Sequence, residues 1–248
     1  MRNLWIRRLS ASAGLLAAAW LSVAPTGSAA DDEVPPDVAK GLVERDIGYL
    51  QKELSKTPEK RAVPTLKTTA MLLALHAQNT GQAELRDQAL KVAEALAKKD
   101  YAGAKTAAAG LKPGTGGGKA DAVNLHEKHN FDLAELMSVY RNATVGGRNM
   151  EKDIRTQAKN VTDPKLVGDI GARVVLVSHY TAKMPAEKAA ANPSNKKKWD
   201  GYSNDTQKLA AEIATAAGKG AGADKAALSK KLKALDASCT ACHNEFRD

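Results

Sequence analysis

The tail of this 248-residue sequence constrains it most: Cys239-Thr240-Ala241-Cys242-His243, followed by Asn244-Glu245-Phe246-Arg247-Asp248. Cys239 and Cys242 are the only cysteines, so no other thiol competes for pairing with either. C-x-x-C-H is the pattern of covalent haem attachment: two thiols that can each add to a vinyl group, and an adjacent imidazole that can supply an axial nitrogen to iron. The residues leading into it show how such a group would be presented. Leu228, Leu232, Leu235, Cys239, Cys242 and Phe246 recur in steps of four and three, the stripe of an amphipathic helix. Cys239 and His243 stand at i and i+4, and Cys239 and Cys242 at i and i+3, so all three project from one helical face.

Two other uses of a cysteine pair fit less well. A thioredoxin-type C-x-x-C opens a helix within a βαβ pattern, which this sequence lacks. A closed zinc site needs four ligands, and there is no second cysteine pair.

The beginning of the sequence reads as an export signal. Arg2, Arg7 and Arg8 precede an apolar run from about Ala11 to Ala24, and small residues ending Ser28-Ala29-Ala30 form a cleavage-site pattern. Residues 1–30 are therefore expected to be a signal peptide, and the apolar run is short for a membrane span, which needs ~20 residues. Cleavage would take three of the 37 basic residues and none of the 28 acidic ones, leaving a basic chain with no membrane span and a periplasmic destination. A basic surface favours an acidic protein partner or an anionic surface. Nucleic acid is not an expected partner, because the chain is exported, aromatic residues make up 4% of it, and no binding motif is present.

Alanine, lysine, leucine and glutamate dominate and β-branched runs are scarce, an all-α composition. The pattern predicts helices over about 38–56, 58–78, 82–99 and 101–109. Pro58 and Pro64 lie near the start of the second, and Asn79-Thr80-Gly81 lies at its end. A glycine-rich stretch follows, Pro113-Gly114-Thr115-Gly116-Gly117-Gly118-Lys119, which cannot hold a helix and reads as a linker. The organisation expected is a helical N-terminal domain at 31–112, a linker at 113–119 and a second helical domain at 120–248. Within the latter, one helix is predicted over about 120–142, with Val123, His126, Asn130, Leu133, Met137 and Tyr140 on one stripe. Further helices are expected from near Asn149, from Pro164, over about 202–216 and at the C-terminus. Met184 to Lys198, with its prolines and asparagines, reads as a loop.

A C-x-x-C-H on the last helix of an all-α unit, followed by Asn244-Glu245-Phe246-Arg247, resembles the class II c-type cytochromes, the cytochrome c′ and cytochrome c556 group. The resemblance covers about residues 120–248 and implies an antiparallel four-helix bundle around one covalent haem c and its iron. It implies Cys239 and Cys242 as attachment points and His243 as an iron ligand. Where the family has a sixth ligand, it comes from the first helix of the bundle, and the matching stretch is Phe131 to Arg141, with Met137 on its apolar side. Met137 precedes His243 by 106 residues, about the span of a complete bundle of this family. Plain core packing is the other use of such a methionine. His126 and His129 are rival ligands on the same stretch. His126 lies ~16 Å from Met137 along a helix axis, so both cannot reach one iron.

The function implied is electron transfer by a mono-haem cytochrome with His/Met ligation, not enzymatic catalysis. The alternative is a five-coordinate, cytochrome c′-like binder of nitric oxide or carbon monoxide. A peroxidase, which would need a distal acid–base residue, is a further reading. So is a redox subunit with 31–112 as its docking module. Redox partner proteins are implied, acidic given the charge of the chain, and a homodimer is compatible with the family.

Overall fold

In the computed structural model, residues 34–114, 125–129 and 131–247 are described. The signal-peptide stretch 1–30, most of the glycine-rich linker and Val123 and Asn130 of the expected stripe lie outside them.

Among the described residues the fold is all-α. Helix α1 (Pro36–Leu54) is followed by a 3-10 turn at Lys60–Ala62 and by α2 (Val63–Asn79), with Pro64 in its first turn. Next come α3 (Ala83–Ala97) and α4 (Tyr101–Ala109), the latter begun by the Asp100 side chain, which accepts from the Gly103 amide. The sequence placed these four within a few residues. α2 is buried on every side from Thr65 to Ala77, which is why it shows little amphipathic contrast.

The C-terminal four-helix bundle consists of α7 (Met150–Lys159), α8 (Pro164–Lys183), α10 (Pro193–Ala217) and α11 (Lys225–Phe246). Short connections join them, as antiparallel packing requires. α8 and α10 approach closely at Gly171, where a Cβ would come within 2.7 Å of the Ala210 carbonyl oxygen and the Ala214 amide nitrogen. Only glycine allows that approach.

Two expectations need correction. No continuous helix spans the described part of 120–142. It is divided into α5 (Leu125–Lys128), α6 (Leu133–Leu136) and 3-10 turns at Met137–Tyr140 and Ala143–Val145. The cause is a capping box. The Asp132 side chain accepts from the Glu135 amide at 2.7 Å, and the Glu135 carboxylate accepts from the Asp132 amide, which starts a fresh helix in mid-pattern. The stretch 184–198 is likewise not a loop throughout. It contains α9 (Glu187–Ala190) and the first turns of α10, where Asn192 caps the helix and Pro193 occupies its first position. Those asparagine and proline residues mark a helix start rather than irregular chain.

One cluster of buried apolar side chains runs from Val34 to Leu235 and takes in both sides of the glycine-rich stretch. Polar contacts join the two sides as well. Tyr180 of α8 donates its hydroxyl to the Met71 carbonyl of α2 at 3.1 Å. Asp46 of α1, only 2% exposed, receives two bonds from Arg173 of α8, at 2.6 and 2.8 Å, and one from Arg148 at 2.7 Å. Burial would raise the Asp46 pKa, but the two guanidinium groups override it and hold the carboxyl below its ordinary value.

Candidate functional site

The C-terminal helix α11 begins at Asp224, whose side chain accepts from the amides of Ala226 and Ala227. Its apolar stripe is fully buried at Leu228, Leu232 and Leu235. One turn later the same stripe reaches Cys239, and there the packing opens. Cys239 and Cys242 are half-buried, His243 is exposed, and Phe246 is buried again. The stripe passes from core to the wall of a cavity of about 730 Å³.

Cys239, Cys242, His243 and Phe246 all line this cavity. So does Met137, which is half-buried in the 3-10 turn between the buried Leu136 and Ser138. Four residues named from the sequence, Cys239, Cys242, His243 and Met137, are thus gathered around one space. Of the rival histidines, His129 is not. His129 is buried elsewhere, with Nδ1 at 3.2 Å from Glu94 of α3, and it is not a cavity-lining residue. His126 falls in α5, and its side chain lies outside the described residues.

The rest of the lining comes from every helix of the bundle. Leu133, Ile154, Val177, Trp199 and Tyr202 supply apolar surface, while Ser178, Thr181, Ser203 and Thr206 supply hydroxyls. Several hydroxyls and the indole are already held. Thr181 bonds Ser203, Thr206 bonds Ser238, and the Trp199 Nε1–H donates to the Thr181 carbonyl at 2.7 Å. Trp199 and Tyr202 meet Phe246 edge to face at 5.4 and 6.2 Å, which closes the end of the cavity beside Cys242. Charged residues lie among the lining too: Arg141, Glu151, Arg155, Asp236 and Arg247. Arg155 bridges Glu151 of α7 to Asp236 of α11 at 2.8 and 3.2 Å.

Sequence reading does not mark Trp199, Tyr202 or Arg155 as site residues. Trp199 falls between the stretch read as a loop and the helix expected from 202. A usable signal exists, since aromatic residues are scarce in this chain and Trp199, Tyr202 and Thr206 follow one another at helical spacing.

The electrostatics of the thiols follow from their enclosure. Burial, then the nearby Asp236 and Cys242, push the Cys239 thiol up to about 11. Burial and then Glu245 raise that of Cys242. Both are protonated and uncharged at neutral pH. Although His243 is exposed as a residue, partial desolvation of its imidazole against the cavity wall, then the neighbouring Arg247, hold it below its usual value, which keeps it neutral and able to offer a lone pair. Burial, then Cys239, raises the Tyr140 hydroxyl, so it too stays neutral.

These residues fit a haem. The space is within the range of pockets for a large cofactor and predominantly apolar. Two thiols and an imidazole converge on it from one helix, a thioether donor reaches it from another segment, and positive side chains stand among the lining. Among the described residues no group of three or more His, Cys, Asp or Glu forms a separate metal cluster.

Residues 138–247 match the family model described as Cytochrome C′. Neither a curated protein nor a solved structure matches the chain. The cofactor supported by the family match is haem c, covalently bound and carrying iron.

Proposed function

We propose, from the match of residues 138–247 to the Cytochrome C′ family model, that this chain is a class II c-type cytochrome, an exported electron carrier with His/Met-ligated haem. When bound, haem c supplies a reversible one-electron change at its iron. The chain's own residues do the rest. The Cys239 and Cys242 thiols would hold the group by adding to its two vinyl groups, each thiol hydrogen going to the neighbouring vinyl carbon. His243, on the same helical face, would supply an imidazole nitrogen to the iron, and Met137 would supply a thioether sulfur from the 131–141 segment. A Met/His pair favours the reduced metal and raises the potential. Leu133, Ile154, Val177 and the Trp199–Phe246 pair limit the approach of water, which tunes the potential further. Arg141 and Arg247, which also line the cavity, would supply positive charge for the cofactor's carboxylate groups.

The observation that carries this reading is the convergence of Met137 and the Cys239-Cys242-His243 face on one cavity. A second reading has its own support in the family description, Cytochrome C′: a five-coordinate binder of nitric oxide or carbon monoxide, with Met137 as wall rather than ligand.

Absorption spectra of the purified holoprotein, oxidised and reduced, with and without carbon monoxide, separate the two. Low-spin spectra indifferent to the gas are expected, with Met137→Ala converting them to high-spin spectra that shift on adding it. A parent protein that is high-spin and takes up the gas overturns electron transfer through a Met137-ligated iron. Periplasmic location is part of the same proposal, supported by the 1–30 pattern and by the family. No helix among the described residues is long and apolar enough to cross a membrane. Fractionation of cells making the full chain, with the cleaved N-terminus read by mass spectrometry, tests it. Acidic redox proteins are the partners proposed.

A further inference from the structure

The helices preceding the glycine-rich stretch take no part in lining the cavity, yet they make polar contacts with the segment that carries Met137. Lys67 of α2, its side chain only 6% exposed, donates to the Glu135 carboxylate at 2.7 Å. Its neighbour Thr68 donates to the Glu135 backbone carbonyl at 2.6 Å and lies 3.5 Å from the Ser138 hydroxyl. The Lys67 ammonium also sits 5.9 Å from the centre of the Phe131 ring. Met137 stands between the two residues that Thr68 touches.

Farther along, Arg148 bonds Asp46 and stacks on Tyr49 of α1 at 4.1 Å. Gly146, with φ +85°, packs against the Arg61 carbonyl so tightly that a Cβ would lie 2.2 Å from it. A segment of short helical turns has little rigidity of its own. Here it is fastened from behind by buried polar groups.

We infer that α1 and α2 are a clamp that sets the position of the 131–148 segment over the cavity, with Lys67 and Thr68 as positioning residues for Met137. The inference rests on the cavity being the haem site but not on Met137 being a ligand: the same clamp governs how closely this segment closes over the metal in either reading.

The test compares four holoproteins well below their melting temperatures: the parent, Thr68→Val, Thr68→Val with Lys67→Met, and Met137→Ala. The oxidised spectrum, the midpoint potential and the rate of carbon monoxide binding to the reduced form are measured. The double variant is expected to bind the gas about tenfold faster than the parent, the factor that one lost charge-assisted hydrogen bond supports, with Thr68→Val in between. Parent-like spectra, potential and rates in both clamp variants overturn the clamp, whatever Met137→Ala does. A parent-like Met137→Ala spectrum removes Met137 as ligand, and the clamp then stands or falls on the gas-binding rate of the double variant. If the double variant fails to fold, Thr68→Val decides by the same criterion, because it removes a hydroxyl at nearly constant volume.

Discussion

The α11 wall of the cavity and the wall formed by residues 131–141 face the same space but are held in different ways. α11 is one uninterrupted helix whose three buried leucines and capping aspartate orient it, and its functional side chains extend that same stripe by one and two turns. The other wall is a chain of short turns, α6 and one 3-10 piece. Its geometry is imposed by residues more than sixty positions earlier, Lys67 and Thr68. A wall of the first kind carries its own precision. A wall of the second kind borrows precision from the core behind it, and mutations far from the cavity can move it.

The largest effect expected separates chemistry from scaffold on the α11 wall. Cys239→Ser with Cys242→Ser should abolish covalent attachment altogether, seen as loss of the haem mass increment on the intact chain, while the leucine stripe that seats the helix is untouched. Next comes Asp46→Asn, which breaks the anchor behind the other wall. Removing one partner of a buried ion network costs about 3–5 kcal/mol, measured by denaturant unfolding at neutral pH. The sign of its pH dependence is set by the lowered pKa of Asp46. A carboxyl whose folded value lies below its unfolded one contributes fully above the unfolded value, and that contribution is lost as pH falls through the folded one. The gap between parent and variant should therefore be complete at neutral pH, begin to narrow below about pH 4 and go on narrowing until pH has passed below the lowered folded value.

Gly146→Ala sharpens the same point with a smaller effect, about 1–3 kcal/mol of stability, because it forces a side chain into a left-handed position against the Arg61 carbonyl. Smallest is Trp199→Phe. It keeps an aromatic ring beside Phe246 but removes the bond to the Thr181 carbonyl and part of the indole's packing, so about 1–2 kcal/mol should be lost with covalent attachment unchanged. An unchanged melting temperature in Gly146→Ala, or lost attachment in Trp199→Phe, would erase the distinction between the two walls.

The same difference explains what could be read in advance. A stripe repeating in steps of three and four reports a helix directly, so α11 and its presentation of Cys239, Cys242 and His243 were legible residue by residue. The helices before the glycine-rich stretch were legible for the same reason. The stripe through Leu133, Met137 and Tyr140 suggested a long helix, and the reciprocal capping of Asp132 and Glu135 prevailed over it. That capping pattern is visible in the sequence as Asp-x-x-Glu, but its precedence over the periodicity is not. Pro193 similarly marked a start that read as a break.

By itself the sequence determined the all-α class, the haem-attachment motif and the helical face that presents it, because these depend on neighbours within a turn or two. Tertiary structure alone decided that Met137 reaches the cavity while His129 turns to Glu94, that Trp199 and Tyr202 close its end, and that α1 and α2 fasten its irregular wall. Those outcomes depend on which buried polar groups find partners across the core, such as Asp46 with Arg173 at a separation of 127 residues. No local periodicity encodes such pairings; the cost of leaving a buried charge unpaired selects them only once the helices have packed.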